Sequence, residues 1–305
     1  MNIKITFLFS FILLVSGCNT SKEGTENSTI SIITTTGMLA DAVRNIVGDS
    51  IEVEELMGPG VDPHLYKASQ GDLEKLTSAN LVVYNGLHLE GKMGDVLEKL
   101  SKSKPVIAAG DAIPDSLRRN STQYNNTFDP HIWFDVARWI IVVKHLNIEL
   151  GKLYPDKKDE FNSNSSNYIS KLEMLHTKAA LLISKIPKEQ RILITAHDAF
   201  EYFGEAYDIE VRGLQGISTV SDFGLKDITE LVDFIVQKKI KAVFIETSVS
   251  ARAINAVVEG CKSKDFDVVI GGSLYSDAMG ESGTSEGTYI GMVNSNVETI
   301  YNALK

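Results

Sequence analysis

Six histidines are spread over 305 residues, and two of them close the same tripeptide. Asp-Pro-His occurs in "VDPHLYKAS" (Val61–Ser69) and again in "FDPHIWFDV" (Phe128–Val136). An imidazole ligates borderline divalent metals, moves protons near neutrality, or simply packs. Proline fixes φ and holds the residue before it extended. A histidine placed directly after it is carried on stiff chain and loses little entropy when it binds something. Two other groups stand where ligands are commonly found. His197, in "TAHDAF", directly follows the strand-like run Arg191–Ala196, and Asp277 lies in "GSLYSDAMGESG", beyond another such run. His64, His131, His197 and Asp277 would supply three imidazoles and a carboxylate, a full four-coordinate shell for zinc or a neighbouring ion. The alternative is four polar residues scattered over separate loops. Their spacing matches neither HExxH nor paired CxxC motifs and is not diagnostic by itself.

The elements that must position these groups alternate. Ser31–Thr36, Ile51–Leu56, Leu81–Asn85 and Pro105–Ala109 read as strands, with helical patterns such as Leu39–Val47 and Asp72–Ala79 between them. The scheme returns in the second half: strands at Arg191–Ala196, Ile209–Gly213, Lys241–Glu246 and Phe266–Gly271, helices at Leu225–Lys238 and Ala251–Gly260. Alternation of this kind predicts an α/β protein of two lobes, each with a four-stranded, mainly parallel sheet flanked by helices. Two long helical patterns lie between, Val136–Tyr154 and then Phe161–Ile186, interrupted by Pro155 and ended by Pro187. The weak helix propensity of Asn162–Asn167 leaves the start of the second one open. A helix of roughly 25 residues is about 38 Å long, enough to run down the side of two stacked lobes. One stiff connection predicts small closing motions. The expected divisions are a leader at residues 1–17, a tether at 18–29, a first lobe at 30–155, a linking helix at 156–187 and a second lobe at 188–305.

On this map His64 follows a strand through the stiff loop "MGPGVDP", and His131 opens the first long helix. A helix N-terminus disfavours a cation but favours the neutral, ligating imidazole, and Asp129 or Asp135 is placed to cap that helix. Two of the four groups come from each half, so a metal would bridge them. His145 and His176 fall inside helices and read as ordinary packing or surface residues. His88 is either a support behind a ligand or a residue packed beneath the cleft. Glu246, at a strand's carboxyl end, either orients a ligand histidine, seals the cleft or forms a buried ion pair. Trp133 and Tyr275, beside ligands, read as dry walls. If one side of the cleft moves, the second half is the expected one, because neither "TAHDAF" nor "LYSDAMG" has a proline before its ligand.

A formal charge of −10 argues against nucleic acid as a partner. The N-terminus has Lys4, an apolar run from Ile5 to Val15 too short to span a bilayer, and then "LVSGC". Small residues before a cysteine read as a lipobox, with lipid carried on Cys18 and a polar tether after it; the alternative is a core cysteine. Cys261 is then left without an intramolecular partner and reads as inert.

Six segments resemble one family: "PGVDPHLY", "NGLHLEGKM" (Asn85–Met93), "DPHIWFD", "TAHDAFEYF" (Thr195–Phe203), "GLQGISTVSD" (Gly213–Asp222) and "LYSDAMGESGTSEGTYIGM" (Leu274–Met292). In this order, over nearly the whole chain from Cys18, they are similar to the zinc/manganese solute-binding lipoproteins of bacterial metal ABC importers, the periplasmic metal-binding proteins of cluster A-I. The resemblance implies two α/β lobes joined by one long rigid helix and a metal in the cleft between them. It maps the family's four ligand positions onto His64, His131, His197 and Asp277. It implies one divalent ion, an ABC permease with its ATPase as partner, and an extracytoplasmic lipoprotein anchored at a membrane, as a monomer. A histidine rather than a carboxylate at position 197 tilts the expectation from manganese to zinc. Ser116–Thr127 lacks the histidine-rich loop of specialised zinc members, which holds that tilt in check. The rival readings are a metallohydrolase, for which Asp198 is the one evident general base beside a ligand, and a surface adhesin.

Overall fold

A computed structural model describes residues 30–121, 127–221 and 223–305. The leader, Cys18 and the tether lie outside the described residues. The first half runs β1 (Ser31–Thr36), α1 (Gly37–Val47), β2 (Glu52–Met57), α2 (Gln70–Ser78), β3 (Leu81–Tyr84), α3 (Gly94–Ser101) and β4 (Val106–Ala108). Its sheet is wholly parallel, in the order β2-β1-β3-β4. The central strand β1 is buried on both faces, which is why "SIITTT" runs apolar and β-branched instead of alternating.

Two long helices follow, α4 (Val136–Leu153) and α5 (Lys158–Ile183). The 26-residue α5 includes the whole of Asn162–Asn167. Tertiary bonds outweigh the weak propensity there. Asn164 donates to the carbonyl oxygen of Ile46 at the end of α1, Asn147 of α4 donates to Asn162, and Ser165 is buried. One turn later the Tyr168 hydroxyl donates to Asp41 of α1 at 2.7 Å.

The second half runs β5 (Ile192–His197), α6 (Glu201–Tyr207), β6 (Glu210–Gln215), α7 (Leu225–Lys238), β7 (Ala242–Glu246), α8 (Arg252–Lys262), β8 (Val269–Leu274) and α9 (Tyr289–Leu304). Its four strands are hydrogen-bonded as two parallel pairs, β5-β6 and β7-β8, with β5 and β7 side by side. Strand β8 lies about three residues later than the alternation suggests. Gly271 and Gly272 look like a strand terminus but lie inside it, next to a bulge at Val243/Phe244. They are there for close approach: a Cβ on Gly271 would stand 2.7 Å from that of Ala303, and one on Gly272 2.4 Å from Thr299, both on α9.

The largest hydrophobic cluster runs unbroken from the first sheet (Ile32, Val83), through α4 and α5 (Trp139, Leu172), to the second half (Phe203, Leu274, Ile300). The other face of each sheet has its own smaller core. All the strands that carry or precede a candidate ligand are parallel, so their carboxyl ends deliver those groups to the rim of a sheet.

Candidate metal centre

Each candidate ligand is held by a local device that its sequence encodes. After β2 the chain turns at Gly58, with Val61 donating back to the Gly58 carbonyl oxygen. The Asp62 side chain then accepts the backbone N–H of His64 at 2.9 Å. At the second Asp-Pro-His the same bond recurs: Asp129 Oδ1 accepts the N–H of His131, also at 2.9 Å. An aspartate that closes a turn on the N–H two residues on is an Asx turn. The repeat is therefore one turn used twice, with the proline stiffening it and the aspartate closing it. In the second copy Asp129 Oδ1 also lies 2.7 Å from His131 Nδ1. A 3-10 turn, Ile132–Phe134, separates His131 from α4, and Asp135 is the residue that caps α4. His131 thus stands ahead of the helix terminus.

His197 is the last residue of β5, one beyond the expected strand end. Glu246, the last residue of neighbouring β7, reaches it twice: Oε1 accepts the His197 N–H at 2.9 Å, and Oε2 lies 2.6 Å from Nδ1. Asp129 and Glu246 therefore do the same thing on opposite sides of the site. Each accepts from Nδ1, which leaves Nε2 as the nitrogen turned to the site, able to ligate in the neutral imidazole. Asp277 follows β8 by three residues. Ser248 Oγ lies 3.4 Å from its N–H, and Ser276 is held through its hydroxyl by Ser248 and through its carbonyl oxygen by Trp133 Nε1. Asn296 of α9 holds Tyr275 by both its N–H and its carbonyl oxygen.

The four devices converge. One ligand atom from each of His64, His131, His197 and Asp277 lies within 4.8 Å of all the others. The His64 and His131 Nε2 atoms face each other at 3.3 Å. Asp277 oxygens stand 3.3 Å from His197 Nε2, 3.5 Å from His131 Nε2 and 3.9 Å from His64 Nε2. The three rings meet edge to face, with centroids 5.3–5.9 Å apart. All four side chains are buried, and His197 Nε2 and both Asp277 carboxylate oxygens have no hydrogen-bond partner among the described residues. Buried polar atoms without partners are costly. Three imidazole nitrogens and a carboxylate aimed at one point are satisfied together by a cation of borderline softness.

Charges in the site are unevenly held. Burial pushes His64 down to about 3; Asp277 opposes it, while His131 and His197 push the same way as burial. Burial also disfavours charge on His197, but Glu246 and Asp277 overcome it and hold that imidazole well above its ordinary range. Burial raises the Asp277 carboxyl, and His197 first, then His64 and His131, outweigh it and hold it well below the usual carboxylate range.

Of the other residues singled out in the sequence, Glu246 joins the site as the His197 brace. Trp133 is buried with its ring centroid 5.3 Å from that of His131, and Tyr275 packs half-buried against the main core. His88 is exposed and neither packs beneath the cleft nor bonds to a ligand residue; it shares a surface cavity with His64. His145 and His176 stay within α4 and α5, and Cys261 is buried. Asp198 turns away to accept the N–H of Gly213 at 2.6 Å. Sequence reasoning passed over Asp62, Ser248, Thr219 and Asn296. For Asp62 the repeated tripeptide was signal enough. For the others the contacts are long-range and leave no local pattern.

Sequence comparison matches residues 32–303 to the family described as the periplasmic component A of the zinc-uptake complex. The manganese-binding lipoprotein MntA of Bacillus subtilis is 50% identical over 292 residues, 95% of each chain. The zinc-binding protein TroA of Treponema pallidum is 46% identical over 284 residues, 93% of this chain and 92% of that one. The solved structure of the periplasmic zinc-binding TroA superposes with a TM-score of 0.88 at 47% identity, covering 90% of this chain and 99% of that one.

Proposed function

This chain belongs to the family of periplasmic components A of zinc-uptake complexes, and on that premise we propose how it handles its cargo. It is an extracytoplasmic metal-binding receptor of a metal ABC importer and not an enzyme. We assign the cargo site to His64, His131, His197 and Asp277. The observation that carries this assignment is the convergence of their four ligand atoms within 4.8 Å, all buried and drawn from both halves of the chain. Four protein ligands complete a tetrahedral shell, whereas a hydrolytic metal needs a position left for water.

The cargo is one divalent ion of the zinc–manganese class. Three imidazoles and one carboxylate bind zinc more tightly than manganese, by ligand softness and by the general order of divalent affinities. The two relatives above carry one name for each metal, so likeness does not decide between the two. Competition of zinc(II) against manganese(II) for the purified protein tests the preference, and tighter manganese binding contradicts it.

Delivery requires a permease with its ATPase, and a lipid on Cys18 would hold the receptor beside them as a monomer. No helix among the described residues is long and apolar enough to cross a membrane. Cys18→Ser should therefore move the protein from the detergent phase to the aqueous phase when cells are partitioned, with metal binding intact. The division into two lobes with α5 as the link fits the continuous core along α4 and α5, which favours small closing motions over a wide swing.

A further inference from the structure

The segment "NGLHLEGKM" finds no place in the four-ligand shell, yet its backbone is unusual. Gly86, Leu87 and His88 are three consecutive residues at positive φ, +77°, +53° and +67°. Glycine takes that conformation freely and histidine tolerates it; leucine does not. The strained turn is held from all sides. Buried Glu90 accepts the N–H groups of Asn85 and Gly86 and the hydroxyl of Thr35. Leu87 sits in a notch that only a glycine leaves open, since a Cβ on Gly110 would stand 2.7 Å from its Cγ. Leu89 is fully buried. Between two anchored leucines, His88 is the exposed residue. Strain that the surroundings over-determine is a mark of a functional segment.

What the turn presents His88 to is a cavity of about 570 Å³ at the mouth of the cleft. Its walls include Leu87, Phe128, Ile217 and Val220, and among the described residues that line it His64 and His88 are the metal-ligating side chains. An ion that reaches His64 through this cavity enters a space whose wall also carries the His88 imidazole. The chain's net charge of −10 draws cations towards it, but hydrated ions still have to shed water before they reach the buried shell.

We propose that His88 is a capture ligand: it replaces one water of an incoming divalent ion at the cleft mouth and passes the ion to His64 by ligand exchange. The inference rests on the four-ligand assignment above. His88 is absent from the final shell, so it lowers the barrier in both directions and leaves the equilibrium untouched.

The test uses cobalt(II) with stopped-flow detection of tryptophan emission, to which Trp133 beside His131 contributes, and chelator chase for the reverse rate. His88→Asn keeps a residue that tolerates positive φ but ligates poorly; His88→Asp keeps both the turn and a ligand. His88→Asn should slow association and dissociation by the same factor, about tenfold, with an unchanged dissociation constant. His88→Asp should match or exceed the wild-type rate. Wild-type rates in His88→Asn overturn the proposal. So does a weakened equilibrium constant with unchanged association, or an Asp variant as slow as the Asn variant. Equilibrium titration of the wild type separates this from the site assignment: if one ion binds per chain while His88→Asn keeps wild-type rates, only the capture role falls.

Discussion

The indole N–H of Trp133 donates a 3.0 Å hydrogen bond to the carbonyl oxygen of Ser276, the residue before Asp277. It is one of several ties between the halves on that side. Tyr289 of α9 donates to the Trp133 carbonyl oxygen, and Arg119 and Arg138 both pair with Glu205 of α6, just after His197. On the side of His64, apart from the approach of His64 itself to Asp277, the described residues show a bond from Thr219 to the second oxygen of Asp62, at 2.6 Å. Among the described residues the second-half candidates, expected from sequence to be the freer ones, thus share more polar ties with the opposite half than the His64 loop does.

This asymmetry predicts which bond governs release. Thr219→Val removes the tie while leaving every ligand in place. A hydrogen bond of this kind contributes about 1 kcal/mol, so the rate of metal loss to a chelator should rise about fivefold. Trp133→Phe, which removes one of the several ties on the other side, should lower thermal stability more than it speeds release. An unchanged off-rate in Thr219→Val contradicts the reading.

Asp129 and Glu246 each fix the orientation of one imidazole. Asp129→Asn and Glu246→Gln should lower metal affinity by roughly 10–100-fold, as outer partners of ligating histidines do. Calorimetric titration measures this. Full affinity in both variants would show that the rings are set by packing alone.

Binding should depend on pH in a definite direction. His197 is held well above the ordinary imidazole range, so at neutrality it carries a proton that must leave when a metal arrives, whereas His64, pushed down to about 3, has none to lose. Affinity should therefore rise by about tenfold per pH unit through neutrality, with about one proton released per ion. Titrations in buffers of different ionisation enthalpy count that proton. The metal-free fold follows the same shifts. The His197 contribution is present below the usual value of 6.5 and is lost as pH rises through its raised value. The Asp277 contribution is present above 3.8 and is lost as pH falls. His64 acts against the fold as pH falls from 6.5 towards about 3, because the unfolded chain takes up a proton there first. Affinity independent of pH between 6 and 8 contradicts the charge assignment.

Gly271→Ala places a methyl group 2.7 Å from Ala303 and 3.0 Å from Phe244. Separation of α9 from β8 should cost about 1–3 kcal/mol, as overpacking does. Thermal unfolding measures it, and an unchanged midpoint contradicts it.

Much of this architecture was legible because period and punctuation agree. The apolar run of Ser31–Thr36 marks a strand buried on both faces, and Pro155 and Pro187 bracket the linking helix. Boundaries failed where long-range packing overrides local signal. Gly271 and Gly272 read as an end because glycine usually ends strands, and here α9 requires them within one. Asn162–Asn167 reads as a weak start, and its helicity comes from bonds to α1 and α4. At the site, stiff loops and strand ends pointed to the four candidate ligands that the fold brings together. The support from Ser248, Thr219 and Asn296 lies across the fold, where no spacing rule reaches. His88 stood out as a histidine near the cleft, but its exposure and its three-residue left-handed turn are visible only in three dimensions.

The central claim is that one ion is held by His64, His131, His197 and Asp277 together. Isothermal titration of the metal-stripped protein with zinc(II), beside the four single alanine variants, tests it most directly. The wild type should bind one ion per chain, and each variant should lose roughly a hundredfold or more in affinity while remaining folded, since removing a ligand costs more than removing its outer partner. A folded variant at any of the four positions that binds zinc as tightly as the wild type contradicts the account.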